Sequence, residues 1–257
     1  MNVFVFDIET VPDIKTGRIL YRLEKESDEE IAVIMSQRQQ EKTGSTFLPP
    51  HLQRIVAISG ALRSREQFKI ASLGNIHSSE HELITSFFTC IEKFLPTLVS
   101  WNGSGFDLPV LHYRALLHGI SSQSYWNIGN ATDTNFRWNN YLNRYHYRHS
   151  DLMDILAGYQ SRASAPLTEI SLMLGLPGKL GIDGSQVWNY FLQGKLESIR
   201  EYCEIDVLNT YLIYLRFELI RGNLTPETYH KECVHAKEYI YRENKPHFTE
   251  FIKAWKI

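Results

Sequence analysis

Cysteine is scarce in this sequence. Cys90, Cys203 and Cys233 are the three in 257 residues, far apart, odd in number and without a CxxC pair. That excludes a disulfide framework and a zinc knuckle, and it suits a reducing compartment. No apolar run approaches the ~18–20 residues of a membrane span. No basic stretch precedes Asp7 and Glu9, so the N-terminus does not read as an export signal. Charge of one sign is missing too: 27 basic against 29 acidic residues leave a net −2. This argues against coating nucleic acid by bulk electrostatics and leaves transient handling of a strand open. Repeats and low-complexity segments are absent, and a soluble, cytoplasmic protein is expected.

What is present is a globular composition, 43% hydrophobic and 22% charged, enough to bury a sizeable core. Asn2–Ile8 reads as a buried strand, because Val3–Phe6 is an unbroken apolar run too short for a helix. Residues 14–42 are polar with apolar positions at helical spacing, and breakers follow up to Pro50, so 14–50 is read as a helical surface insertion. Two strands joined by a hairpin-length link are expected at 54–62 and 67–73. A helix over 80–94 and a strand over 97–100 follow, then a helix from just after Asp107 to near Gly119. Residues 121–150 show no period and read as a long loop. Helices are expected at 151–159, 167–174, 185–192, 196–220 and 226–243, the last within a helical C-terminal extension over 221–257. With no linker between them, these elements predict one α/β domain over 1–257, helices packed on a mixed sheet.

Three places carry chemistry. Asp7 and Glu9, two apart at a strand's end, share a face about 6–7 Å apart. Two desolvated anions so placed call for a cation, unless the pair merely caps the strand in solvent. Asp107 follows the glycine-rich turn Asn102-Gly103-Ser104-Gly105-Phe106 and precedes a helix. It reads either as an N-cap or as part of a ligand site that the glycines let a backbone approach. Tyr202 and Asp206 are four apart, hence neighbours on one helical face; the apolar residues that follow bury that helix, and a buried aspartate needs a partner.

Taken in order, Asp7-x-Glu9, Asn102-Gly103-x-x-Phe106-Asp107 and Tyr202-x-x-x-Asp206 resemble the three exonuclease motifs of the DEDD superfamily, tyrosine branch, with a ribonuclease H-like fold. The histidine branch would need histidine where Glu201 stands. The resemblance is closest to predicted 3′–5′ exonucleases similar to the proofreading domain of family B DNA polymerases, and it covers residues 1–220. It implies a site in which Asp7 bridges two ions, Glu9 and Asp206 hold the nucleophile-side ion, and Asp107 holds the other through water. All-oxygen ligands suit Mg²⁺ or Mn²⁺. Tyr202, with an ordinary pKa of about 10, orients the attacking water instead of removing its proton. The implied activity is stepwise release of nucleoside 5′-monophosphates from single-stranded 3′ ends. The rival readings are a catalytically silent nucleic-acid-binding or scaffold domain on the same fold and a small-nucleotide phosphodiesterase. Setting the four carboxylates aside moves the net charge from −2 to +2, a mildly basic frame around an acidic site.

Asn102 and Phe106 are candidate substrate contacts beside Asp107. Arg144 and Tyr145 are further candidates, because basic and aromatic residues interleave from Phe136 to His149 as in single-strand binders, although the rings could equally pack the loop to the body. Asp151 reads as a helix-terminal acid stabilised by the dipole, with a place in the outer shell of the metal site as the alternative.

Overall fold

The computed structural model describes residues 2–65 and 67–256. Strand β1 (Val3–Pro12) alternates between two cores, Val3 and Val5 on one face and Phe4, Phe6 and Ile8 on the other. It runs four residues past the expected Ile8, with a register shift between Glu9 and Thr10. Two helices follow, α1 (Ile14–Tyr21) and α2 (Asp28–Thr43). Asp13 caps the first, and a Ser27/Glu30 capping box opens the second. Ile31 and Met35 of α2 close a small core with Leu48 and Leu52, separate from the two cores of the sheet.

Strands β2 (Gln53–Arg63) and β3 (Phe68–Ser72) come next, then α3 (Glu80–Phe94) behind a Ser79/Glu82 capping box, β4 (Thr97–Ser100) and α4 (Asp107–His118). The stretch read as a loop holds α5 (Gln123–Trp126) and α6 (Thr134–Trp138) and leads into β5 (His149–Asp151). Its order comes from isolated aromatic anchors: Tyr125, Phe136 and Tyr141 are buried in the sheet's core, and the Tyr141 hydroxyl donates to the Pro96 carbonyl at 2.7 Å. Such anchoring leaves no periodicity to read. The expected helix at 151–159 is shorter, α7 (Leu152–Leu156), because Asp151 itself ends β5 and Gly158 and Tyr159 take positive φ beyond its end. Next are α8 (Leu167–Met173), α9 (Val187–Leu192), α10 (Leu196–Ile220), α11 (Pro226–Glu243) and α12 (Pro246–Ala254), a second helix within the C-terminal extension expected to be helical.

The five strands lie in the order β3-β2-β1-β4-β5, antiparallel across β3, β2 and β1 and parallel across β1, β4 and β5. Helices α3 and α4 cover one face, and α10, α11 and α12 the other, giving the mixed α/β architecture expected. Helix α10 is buried on nearly every side from Ile199 to Leu215. The feature that positions the site is a parting of strands. β4 pairs with β1 only through Val3, Phe4 and Val5, and after Ser100 its chain turns away, opening a crevice beside the C-terminal half of β1. No helix among the described residues is long and apolar enough to cross a membrane.

Candidate functional site

Asp7 and Glu9 continue the odd-numbered face of β1, which looks toward α10. Beyond the register shift, Val11 on that face packs with Tyr202 and Ile199 of α10. The predicted alternation therefore puts both carboxylates against the helix that carries Tyr202, Cys203 and Asp206. Asp7 is partly buried; Glu9, Asp107 and Asp206 are buried.

Asp107 is not the N-cap. Phe106 occupies that position without a capping side chain, and Asp107 is the first helical residue. Its Oδ1 accepts the Ile8 backbone N–H at 3.2 Å. This is a donor that β4, having parted from β1, does not satisfy, and a buried amide without an acceptor would be costly. One carboxylate thus closes the gap between two diverging elements and stands beside the Asp7/Glu9 face.

The turn before it is held from below. Asp151 accepts the Asn102 N–H at 2.9 Å and the Ser104 N–H at 2.8 Å, while the same side chain caps α7 through Asp154 N–H. Asn102 lies in the left-handed region with φ 64°, and its carbonyl accepts from Gly105 and Phe106. A Cβ on Gly103 would run into the Ser100 hydroxyl, itself bonded to His149 Nε2 at 2.8 Å; one on Gly105 would come within 2.5 Å of Asn102 Oδ1. The glycines serve the close packing of the turn on itself.

Electrostatics make the site uneasy as it stands. Burial, followed by the Asp107 and Asp206 charges, pushes Asp7 well above the usual carboxylate range. Burial and the neighbouring Asp7, Asp206 and Asp107 do the same to Glu9. Burial raises Asp107 to about 7, with Asp151 adding to the rise. Burial raises Asp206 to about 6 against the pull of the Tyr202 hydroxyl and Lys179. Burial also pushes the Tyr202 phenol up, and the nearby carboxylates add to it, so the phenol keeps its proton. Asp206 Oδ1 is buried without a hydrogen-bond partner among the described residues.

An orphaned carboxylate oxygen amid three further carboxylates is a donor set that fits a hard divalent cation. The ligand atoms of Asp7, Glu9 and Cys203 lie within 4.8 Å of one another. Burial, followed by the Asp7 and Glu9 charges, raises the pKa of the Cys203 thiol, which donates to the Asp7 carbonyl and to Asp7 Oδ2, both at 3.4 Å. Sequence reasoning missed this contact. It missed Lys179 as well, whose charge bears on Asp7, Glu9 and Asp206 and whose Nζ stands 5.8 Å from the centre of the Tyr202 ring. The glycine-rich stretch 175–184 around it was the only signal available.

The candidate substrate contacts divide. The Phe106 ring packs 5.2 Å from Phe47 and, with Glu9 and Thr10, lines a cavity of about 980 Å³ whose other wall is α2. Asn102 lines a separate cleft of about 440 Å³ that also contains Arg144. Arg144 is paired with Asp154 through two hydrogen bonds, 3.0 and 2.9 Å, and Tyr145 packs edge-on against Tyr159. Neither Arg144 nor Tyr145 touches the carboxylate group.

The family described as a predicted 3′–5′ exonuclease related to the exonuclease domain of PolB matches residues 45–255. With the mixed sheet and flanking helices, this match bears out the expected ribonuclease H-like fold. No curated protein matches the chain.

Proposed function

The chain belongs to the family of predicted 3′–5′ exonucleases related to the exonuclease domain of PolB, and from that premise we propose that it is a two-metal-ion 3′–5′ exonuclease releasing nucleoside 5′-monophosphates from single-stranded 3′ ends. Family membership supports a nuclease-type hydrolase acting on nucleic acid. The observation that carries the finer reading is the orphaned oxygen of Asp206, whose charge bears on Asp7 and Glu9, carboxylates whose acidity burial and mutual repulsion suppress.

In this reading Asp7, Glu9, Asp107 and Asp206 hold Mg²⁺ or Mn²⁺. Two such ions supply the positive charge that draws in a phosphodiester, acidify water and stabilise a leaving 3′ oxygen. The protein's own groups do the rest. Tyr202, protonated throughout the working pH range, donates a hydrogen bond that orients the attacking water. Cys203 fixes Asp7 from behind, and Asp151 holds the turn that delivers Asp107. Lys179 faces the scissile phosphate and adds to the attraction of an anionic strand. Asn102 and Phe106 shape the walls near the 3′ end, with Arg144 across the Asn102 cleft and Tyr145 beside it in the sequence, packed on Tyr159. Residues 1–257 act as one exonuclease domain, to which 14–50 and 221–257 add helices, and free thiols fit a cytoplasmic place.

Digestion of single-stranded DNA, duplex DNA and RNA, labelled at the 3′ or 5′ end and supplied with Mg²⁺ or Mn²⁺, tests the reading. Mononucleotides released in order from the 3′ end are expected, with Asp7→Ala inactive. Intact strands under every condition, or full activity in Asp7→Ala, would refute it.

A further inference from the structure

The cavity beside Glu9 does not end at the carboxylates. A second cavity, about 760 Å³, shares Pro12 and Trp188 with it, so the two meet across that pair. Their chemistry differs sharply. Among the described residues no lysine, arginine or histidine lines the first, which contains Glu9 and Glu41. The second is lined by Lys15, Arg18, Arg54, Arg114 and His118.

Every carboxylate of the second cavity is already paired. Asp28 is bound to Arg18, Asp13 to Arg114, and Glu80 to Arg114 and His118. Lys15 and Arg54 are exposed and have no ion-pair partner among the described residues, leaving two uncompensated positive charges on this side. Arg54 lies over the Phe191 ring at 5.6 Å, and Phe191 is stacked with the half-buried Trp188 at 5.9 Å and 16°. Flat aromatic faces interleaved with free cations are what holds a single strand without reading its sequence.

We propose that a bound strand leaves the carboxylate centre across Trp188 and runs into the cleft between α1 and α9, where Trp188 and Phe191 receive its bases and Lys15 and Arg54 its phosphates. The proposal rests on the exonuclease reading and adds the substrate's length requirement. Glu9 to Pro12 spans roughly 10 Å of strand, so the cationic contacts lie upstream of the reacting bond, where a dinucleotide, whose one internucleotide phosphate is the one being cleaved, has no phosphate to offer. Segment 14–43, which the motifs left without a role, then forms one wall of the track: α2 beside the 3′ end and α1 beside the upstream phosphates. Dinucleotides cannot reach Lys15 and Arg54 and are poor substrates for that reason. The rival exit past Arg144 offers a guanidinium already bound to Asp154.

The test compares the wild type, Lys15→Ala/Arg54→Ala, Trp188→Ala and Arg144→Ala on a thymidylate dodecamer and a dinucleotide, with a uridylate dodecamer as the RNA arm. Kinetics with Mn²⁺ and binding by anisotropy with Ca²⁺ are followed across salt concentrations. The double variant should lose at least tenfold of the kcat/KM preference for dodecamer over dinucleotide. Its binding should show a salt slope shallower by about 0.7 per lost phosphate contact. Trp188→Ala should weaken dodecamer binding by about five- to a hundredfold with the slope retained. Arg54→Lys should keep both slope and preference, and Arg54→Glu should weaken binding further than alanine does. If the wild type digests strands while the double variant keeps its slope and preference, the track is wrong and the exonuclease reading stands. If Arg144→Ala alone flattens the slope, the strand leaves on the other side and the proposal is overturned. If the wild type digests nothing, the exonuclease reading falls and takes the track with it.

Discussion

Replacing Asp107 by asparagine should make the metal-free protein more stable, and more so as the pH rises. Burial, aided by Asp151, raises the Asp107 carboxyl from its ordinary 3.8 to about 7 in the folded chain. A carboxyl raised in this way stays protonated in the folded state while the unfolded chain has released its proton. Its contribution to stability is therefore full below about pH 4 and is lost progressively up to about pH 7. Asparagine keeps an oxygen for the Ile8 N–H and carries no charge. Between pH 5 and pH 8 the advantage of Asp107→Asn over the wild type should grow by about 2–3 kcal/mol, which for a chain of this size is roughly 5–10 °C in Tm. The depressed pKa values of His112 and His149, each about 4 through burial, tilt both proteins alike and cancel in the difference. Thermal melts in chelator at the two pH values give the number directly. Adding Mn²⁺ at pH 8 should reverse the order, because the wild type gains binding energy that the variant loses, and the variant's nuclease activity should collapse. An advantage that is absent, or equal at both pH values, would refute the claim that Asp107 bears an uncompensated buried charge.

Three further outcomes follow from the packing. Gly103→Ala drives a methyl into Ser100, which His149 holds in place, and should cost about 1–3 kcal/mol in urea unfolding; wild-type stability would show that the turn gives way more easily than its hydrogen bonds imply. Burial works against Glu204, yet hydrogen bonds from His247, Lys245 and Ser72 hold its pKa down to about 2. The stability it supplies is present above about pH 4.5 and is lost as the pH falls toward 2, so Glu204→Gln should cost about 2–4 kcal/mol at pH 7 and flatten the acid limb of the stability curve, a limb that unchanged steepness would contradict. Burial raises the pKa of all three thiols, that of Cys90 to about 11, so a disulfide reagent at pH 7 should modify them only on unfolding; rapid labelling of the native protein would contradict this.

Much of the carboxylate group was written into local periodicities. A period of two put Asp7 and Glu9 on one face of β1, and a spacing of four put Tyr202 and Asp206 on one face of α10. Those relations survive because strand and helix geometry repeat regardless of what packs around them. Asp107 was legible as a residue but not in its role. Its bond to Ile8 N–H exists only because β4 parts from β1, and that parting is a property of the sheet. Asp151 was read as a helix-terminal acid; it is also the clamp on the Asn102 turn, a contact made across two strand ends.

Other features had little or no sequence signal. Cys203 touches Asp7, and the Lys179 charge acts on it, because α10 and the loop at 175–184 close over β1 from distant parts of the chain. The 14–43 helices become a wall of two cavities only when α2 faces Phe106 and α1 faces α9. By itself the sequence determined the faces of its strands and helices, since each depends on residues a few positions apart. The tertiary structure decided which faces meet, and with them the buried repulsion, the orphaned Asp206 oxygen and the unpaired cations, because those arise from groups brought together across nearly the whole chain.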